Sequence, residues 1–557
     1  MYALKTPSFL RPASRPTSPS PASTTRQDVA GVPDRAPRPL SKLSLANFKR
    51  TASPLSRAQT ALVQDGSYME VLGLRLSEAV SKALAHPSGP GSPSELLGGR
   101  RPIPAGRGRA LGEFIANETN AARENPHLYR AVIRTLHRPL SVLVTNLSGT
   151  LLPLIASPAF LSPAVPTPQY PHPNATQLHA LALATFAGEL LETFDELGLG
   201  QDSDMRGDGL KSVRDSLLSI IQRVIDPLVS GIKNDLMPHI EALEQPAPAV
   251  AAATSAKAAG SAPKSAAVHP SIAYMHAAMP VYARALARYI TTKPAETTLA
   301  SLLISLVWRG LVALSNRPVP APGPTPPGSP PLGPGAHAKT RDVRRRGSSA
   351  TPPPTPPASK FMLKLPPSRP PSPPSAAAKA PSAAADARAL YDLLALLPRP
   401  SNALAHEAVS DALDSLRGTV ALLEFVHARR GLGMPADALG HELDVLTADV
   451  STLVALPVLL RAFVFPYLPT APGVDRDRTV AVMLGLSEAA YRGGCLSGFG
   501  RAEECALAVA QRVLGVLRSE IAASGAGAQD GLPETVMRWL EREIADAASE
   551  QAQAQMH

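Results

Sequence analysis

Cysteine and aromatic side chains are what this 557-residue chain has least of: two Cys, and 4% Phe, Trp and Tyr together. Cys495 and Cys505 stand ten residues apart without forming a Cys-x-x-Cys unit, and two thiols cannot make a disulfide framework, so a reducing compartment is expected. Sandwiches and barrels draw on aromatic and β-branched residues. With few aromatics and abundant Ala and Leu, helix-on-helix packing is favoured, and the fold class expected is all-α. Long apolar runs are scarce as well. Residues 450–468 are interrupted by Pro457, Arg461 and Pro466, and residues 299–314 are short for a bilayer and carry Arg309, so both are expected to be core helices and no transmembrane span is expected. No apolar core of roughly seven residues follows Met1, which argues against a secretory leader.

The familiar catalytic and cofactor signatures are missing too. There is no Gly-x-Ser-x-Gly elbow and no Walker loop, which leaves serine-hydrolase and P-loop chemistry without their minimum parts. His406-Glu407 and His441-Glu442 each lack the second His four residues on that a zinc helix needs, and are expected to be solvated face residues. The run from Asp202 to Asp208 resembles a calcium loop only briefly. Arg206 stands at a ligand position and Val213 where a bidentate Glu belongs. Gly106, Gly108 and Gly112 approach a phosphate-cradling loop with the wrong spacing and no preceding strand, and are read as flexible-loop glycines. No catalytic, metal-binding or cofactor-binding residue is therefore nominated, and no cofactor is expected.

What the chain does have is proline and unevenly placed positive charge. Residues 1–60 hold ten Lys/Arg against Asp28 and Asp34, a balance of +8. Residues 339–379 hold nine Lys/Arg against Asp342, another +8. The whole chain carries +10, so the remainder stands at −6. Nine prolines fall in the first block, and 21 lie between Arg317 and Ser382. Such Pro/Ser-rich basic stretches cannot bury enough apolar surface to offset backbone entropy and are expected to be disordered.

Between them lie helical patterns. The domain organisation expected is a basic arm over 1–62, an all-α lobe over 63–316 with mobile loops near 87–109, 157–175 and 246–268, a disordered Pro-rich linker over 317–385, a second all-α lobe over 386–549, and a disordered tail over 550–557. Ser67 and Glu70 suggest a capping box opening the first helix, with Leu72, Leu76 and Val80 on one buried face. Helix breaks are expected near the prolines. The two lobes are bundle-like or solenoid-like, although no repeat signature recurs.

The basic blocks carry the most specific motifs. Arg344, Arg345 and Arg346 before Ser348 match the preference of basophilic kinases, and Ser53, Thr351, Thr355 and Ser372 each precede Pro; these five are the candidate phosphosites. Lys364-x-x-Pro367-x-x-Pro370 has the polarity of a ligand for modular Pro-binding domains. Arg344, Arg345 and Arg346 also form a candidate nuclear-import signal. Only Phe361 lies near for stacking on bases, so no specific nucleic acid is expected. The function expected is a non-enzymatic intracellular scaffold or adaptor, cytoplasmic, whose partners are Pro-binding domains and protein kinases. A nuclear regulator is the alternative, and a helical enzyme or lipid-handling protein with an inter-helix pocket the second.

Overall fold

A computed structural model describes residues 57–87, 92–163, 165–201, 210–246, 268–318, 382–429, 436–467, 478–524 and 531–554. The all-α expectation is met: the described residues contain helices and no strand. The chain divides into two compact units, Met1–Ala61 and Leu62–His557. Of the first, only the opening of a helix is described, and the account below concerns the second.

The order is α1 (Arg57–Leu84), α2 (Arg107–Ala122), α3 (Pro126–Ala156), α4 (Ala175–Leu197), α5 (Lys211–Glu241), α6 (Pro270–Tyr289) and α7 (Lys293–Asn316). After the Pro-rich segment come α8 (Ala383–Ala395), α9 (Ala403–Arg429), α10 (Ala436–Thr447), α11 (Thr452–Leu459), α12 (Val480–Leu484), α13 (Glu488–Cys495), α14 (Phe499–Ser524) and α15 (Leu532–Ala554). Leu72, Leu76 and Val80 are buried as their four-residue spacing requires. The capping box expected at Ser67 does not form, because α1 begins ten residues earlier and Ser67 lies in mid-helix. Asn174 and Gln177 form one instead at the start of α4. Asn174 Nδ2 also donates to the carbonyls of Ala159 and Ser162, and Gln177 Nε2 to that of Phe160, so the stretch expected to be a mobile loop over 157–175 is fastened to α4.

Prolines do not break the long helices. Pro139 and Pro153 lie inside α3, and Pro227 and Pro238 inside α5. An interior Pro costs about 3 kcal/mol. The α5 stripe of Val213, Leu217, Ile220, Val224, Leu228, Ile232, Leu236 and Ile240 is buried throughout, and each such side chain contributes about 1.5–3 kcal/mol. Continuity of the stripe outweighs the lost hydrogen bonds. Residues 450–468, expected to be a core helix, are divided as far as Tyr467 among α11, a π-turn (Leu460–Val464) and a 3-10 turn (Phe465–Tyr467).

The two segments expected to be separate lobes belong to one compact unit. The reason is α7, which is apolar nearly all round and so needs neighbours on every side. It packs on α5 from before the Pro-rich segment and on α8, α9 and α11 from after it. Gly310 lets α8 approach: a Cβ there would lie 2.6 Å from Leu390 Cδ2. Arg317, just past α7, and Asp386 in α8 form an ion pair at 2.5 Å, with side chains 4% and 3% exposed. Order thus extends from either side into the stretch expected to be disordered linker.

By length and composition, α3 and α7 could each cross a membrane. The apolar window of α7 is 67% buried and serves as core, whereas that of α3 is only 22% buried. No Asp, Glu, Lys or Arg occurs from Pro139 to Gly188, so α3 shows solvent an uncharged strip that includes Val142 and Leu152.

Candidate functional site: a groove with opposite charges at its ends

The glycine-rich stretch before α2 is not a loose loop. Gly106 caps the helix with φ 88°, and the N–H groups of Gly106, Gly108 and Arg109 donate to the Glu189 carboxylate at 2.7, 3.0 and 3.2 Å. Helix N-termini attract anions, and here the chain supplies its own from α4. Gly108 and Gly112 lie inside α2 where it presses on α4; a Cβ on Gly112 would stand 2.0 Å from Thr193 Oγ1. The resemblance to a phosphate loop therefore has an internal, structural cause.

A different place is open to ligands. One face of α7 carries Thr297, Ser301, Ile304, Ser305 and Trp308 at three- and four-residue intervals, and these line a cavity of about 860 Å³ completed by α5, the start of α9 and the loop before α14. Trp308 Nε1 donates to the Leu496 carbonyl at 2.7 Å, which pins that loop to α7. The indole meets Phe499 with ring centroids 4.6 Å apart and planes at 54°. Leu404, 78% exposed, stands on the opposite wall. Two cations, Lys233 and Arg309, mark this end. Arg309 reaches Glu241 only at 3.9 Å, and Lys233 has no ion-pair partner among the described residues.

Ile304 and Phe499 also line a second cavity of about 720 Å³, so the two adjoin at these side chains. Its walls come from α9, the α10–α11 junction, α14 and α15, and they present Asp411, Asp414, Asp449, Glu503, Glu543 and Asp546 with no Lys or Arg. No three described His, Cys, Asp or Glu side chains converge as a metal cage would, and these carboxylates come from four different walls of the cavity. Burial pushes the Glu543 carboxyl above its ordinary 4.5; Asp546 and Asp444 push it further, while the Thr452 hydroxyl bonded to it at 2.7 Å and Arg542 pull it back. In the same cavity the Ser415 hydroxyl, in a residue 4% exposed, has no hydrogen-bond partner among the described residues. From Leu404 to Ser415 the groove follows α9 for about 17 Å, at 1.5 Å per residue.

A third cavity of about 330 Å³ shows the contrast. Its Arg492 is satisfied by Glu244 at 2.8 and 2.5 Å and by Glu488 at 2.8 Å, so its charges hold the structure together. Cys495, which ends α13, and Cys505, in α14, are half-buried free thiols, and burial, then the neighbouring Cys505, push the Cys495 thiol up.

The expected solvated character of His406, Glu407, His441 and Glu442 is seen: all are exposed. The nominated positions Ser53, Arg344, Arg345, Arg346, Ser348, Thr351, Thr355, Lys364, Pro367, Pro370 and Ser372 lie outside the described residues, as does the run from Asp202 to Asp208. The groove was not found from sequence, because its residues come from six helices and share no local pattern. Compared with known proteins, the chain matches no family model, no curated protein and no solved structure.

Proposed function

We infer that this chain is a non-enzymatic helical scaffold whose groove along α9 receives a short segment of a partner protein. The observation that carries this is the polarity of the groove: cations at one end, Ile304, Trp308, Leu404 and Phe499 between, and at the other end six carboxylates with no Lys or Arg among the lining side chains. Like charges around one cavity repel, and an incoming Lys or Arg relieves that cost while the apolar centre supplies contact area. The segment that fits has two or three apolar anchors, Lys or Arg toward one end and an acid toward the other. The Pro-rich stretch, with its phosphosites and its Lys364-x-x-Pro367-x-x-Pro370 motif, serves as the regulated second contact region of the scaffold.

Selection of a displayed random 12-residue peptide library on the full chain, with Asp411→Lys/Asp414→Lys as counter-selection, tests the reading. Both aspartates are exposed, so the replacement leaves the core intact. Enrichment of apolar sequences with Lys or Arg at one end, lost on the variant, is expected. Recovery of no groove-dependent sequence would overturn it.

A further inference from the structure

Within the Pro-rich stretch, large apolar side chains are almost absent except at one place: Lys360, Phe361, Met362, Leu363, Lys364 and Leu365 follow one another. Apolar side chains recur at 361, 363 and 365, and lysines at 360 and 364. In an extended chain Phe361, Leu363 and Leu365 fall on one side and Lys360, Met362 and Lys364 on the other. Pro366 biases Leu365 toward extended backbone, which favours that arrangement. Six extended residues span about 20 Å, close to the run from Leu404 to Ser415 along α9.

We propose that the chain's own segment 360–365 occupies the centre and acidic end of this groove. This rests on reading the groove as a site for short segments. Phe361, Leu363 and Leu365 then meet Ile304, Leu404 and Phe499, and Lys360 and Lys364 face Asp411, Asp414 and Glu503. The reach is sufficient. Arg317 and Asp386 bind each other, so both ends of the Pro-rich stretch leave from one place. Ile304 lies about 20 Å from there along α7. The 17 residues from Leu365 to Ser382 can span about 56 Å.

The segment has no acid to meet Lys233 and Arg309. A partner segment that carries one gains contacts the chain's own lacks, and so displaces it. Displacement frees Lys364, which is also the first residue of the Lys364-x-x-Pro367-x-x-Pro370 motif. The groove and a Pro-binding domain therefore compete for the same lysine, and occupation of the groove by a partner exposes the motif to its own.

The test is binding of a fluorescent peptide of residues 357–368 to the full chain, to Phe361→Ser/Leu363→Ser/Leu365→Ser, and to that variant with Asp411→Lys/Asp414→Lys added. A tethered segment acts at an effective concentration on the order of 1 mM, so a peptide with Kd about 50 µM should bind the wild type about twenty-fold more weakly than the serine variant. Adding the two lysines should abolish binding. Equal binding to wild type and serine variant overturns the proposal while leaving the groove reading intact. Failure to bind the serine variant also overturns it, and if library selection fails too, both readings fall together. A wild-type deficit that disappears on dilution would assign the groove to a second copy's segment and overturn the intramolecular assignment.

Discussion

Asp386 and Arg317 are nearly sealed from water, and their 2.5 Å contact is what makes that tolerable. Nearby, burial holds the His269 ring below its ordinary 6.5, with Asp386 pulling the value up and Arg317 pushing it down. A buried pair is weak evidence for stability as such, but removing one partner leaves an uncompensated charge. Asp386→Ala should therefore cost about 3–5 kcal/mol in urea unfolding, and Asp386→Leu/Arg317→Met much less. An unchanged midpoint for the single variant would show that Arg317 finds water. Glu543 gives a pH-dependent counterpart. Its folded carboxyl titrates above 4.5, so the folded chain binds more protons than the unfolded near that pH. The stabilisation it lends is full below 4.5 and is lost as pH rises through the folded value. Glu543→Gln should flatten that part of the stability profile between pH 4 and 7; a profile identical to wild type would show that the carboxyl is not held high.

At the level of helices, glycine and proline meant something other than their local signals. In the sequence Gly108 and Gly112 look like loop residues, yet they are the points where α2 and α4 nearly touch. Gly112→Ala should destabilise by about 1–3 kcal/mol through overpacking against Thr193, partly recovered by Thr193→Ala in a double-mutant cycle. No change in thermal melting would mean the helices can separate without loss. Likewise Pro227 suggests a break, but the buried stripe through α5 continues across it. Apolar periodicity was legible because it is local and is enforced by burial: Leu72, Leu76 and Val80 are one instance, the α5 stripe another. Helix ends, tight approaches and the groove were not, since each depends on a neighbour distant in sequence. Glu189, 83 residues from the Gly106 N–H it accepts from, could not have been assigned from spacing.

For the whole molecule, charge is divided between basic Pro-rich stretches and a remainder at −6 that includes the acidic end of the groove. Thr355 and Ser372 flank the segment 360–365, and a phosphate on each adds about −1.5 to −2, which would repel it from Asp411 and Asp414. Thr355→Glu/Ser372→Glu should thus strengthen binding of the 357–368 peptide several-fold; no gain would mean that charge does not hold the segment. The groove itself exists only because α7, before the Pro-rich stretch, packs on α9 and α11 after it. That union is tested most directly by inserting a protease recognition sequence between Gly335 and Ala336, cutting to completion, and running the product on size exclusion in native buffer. One peak containing both fragments in equal amounts is predicted. Two peaks, one for each fragment, would contradict the single helical unit and the groove with it.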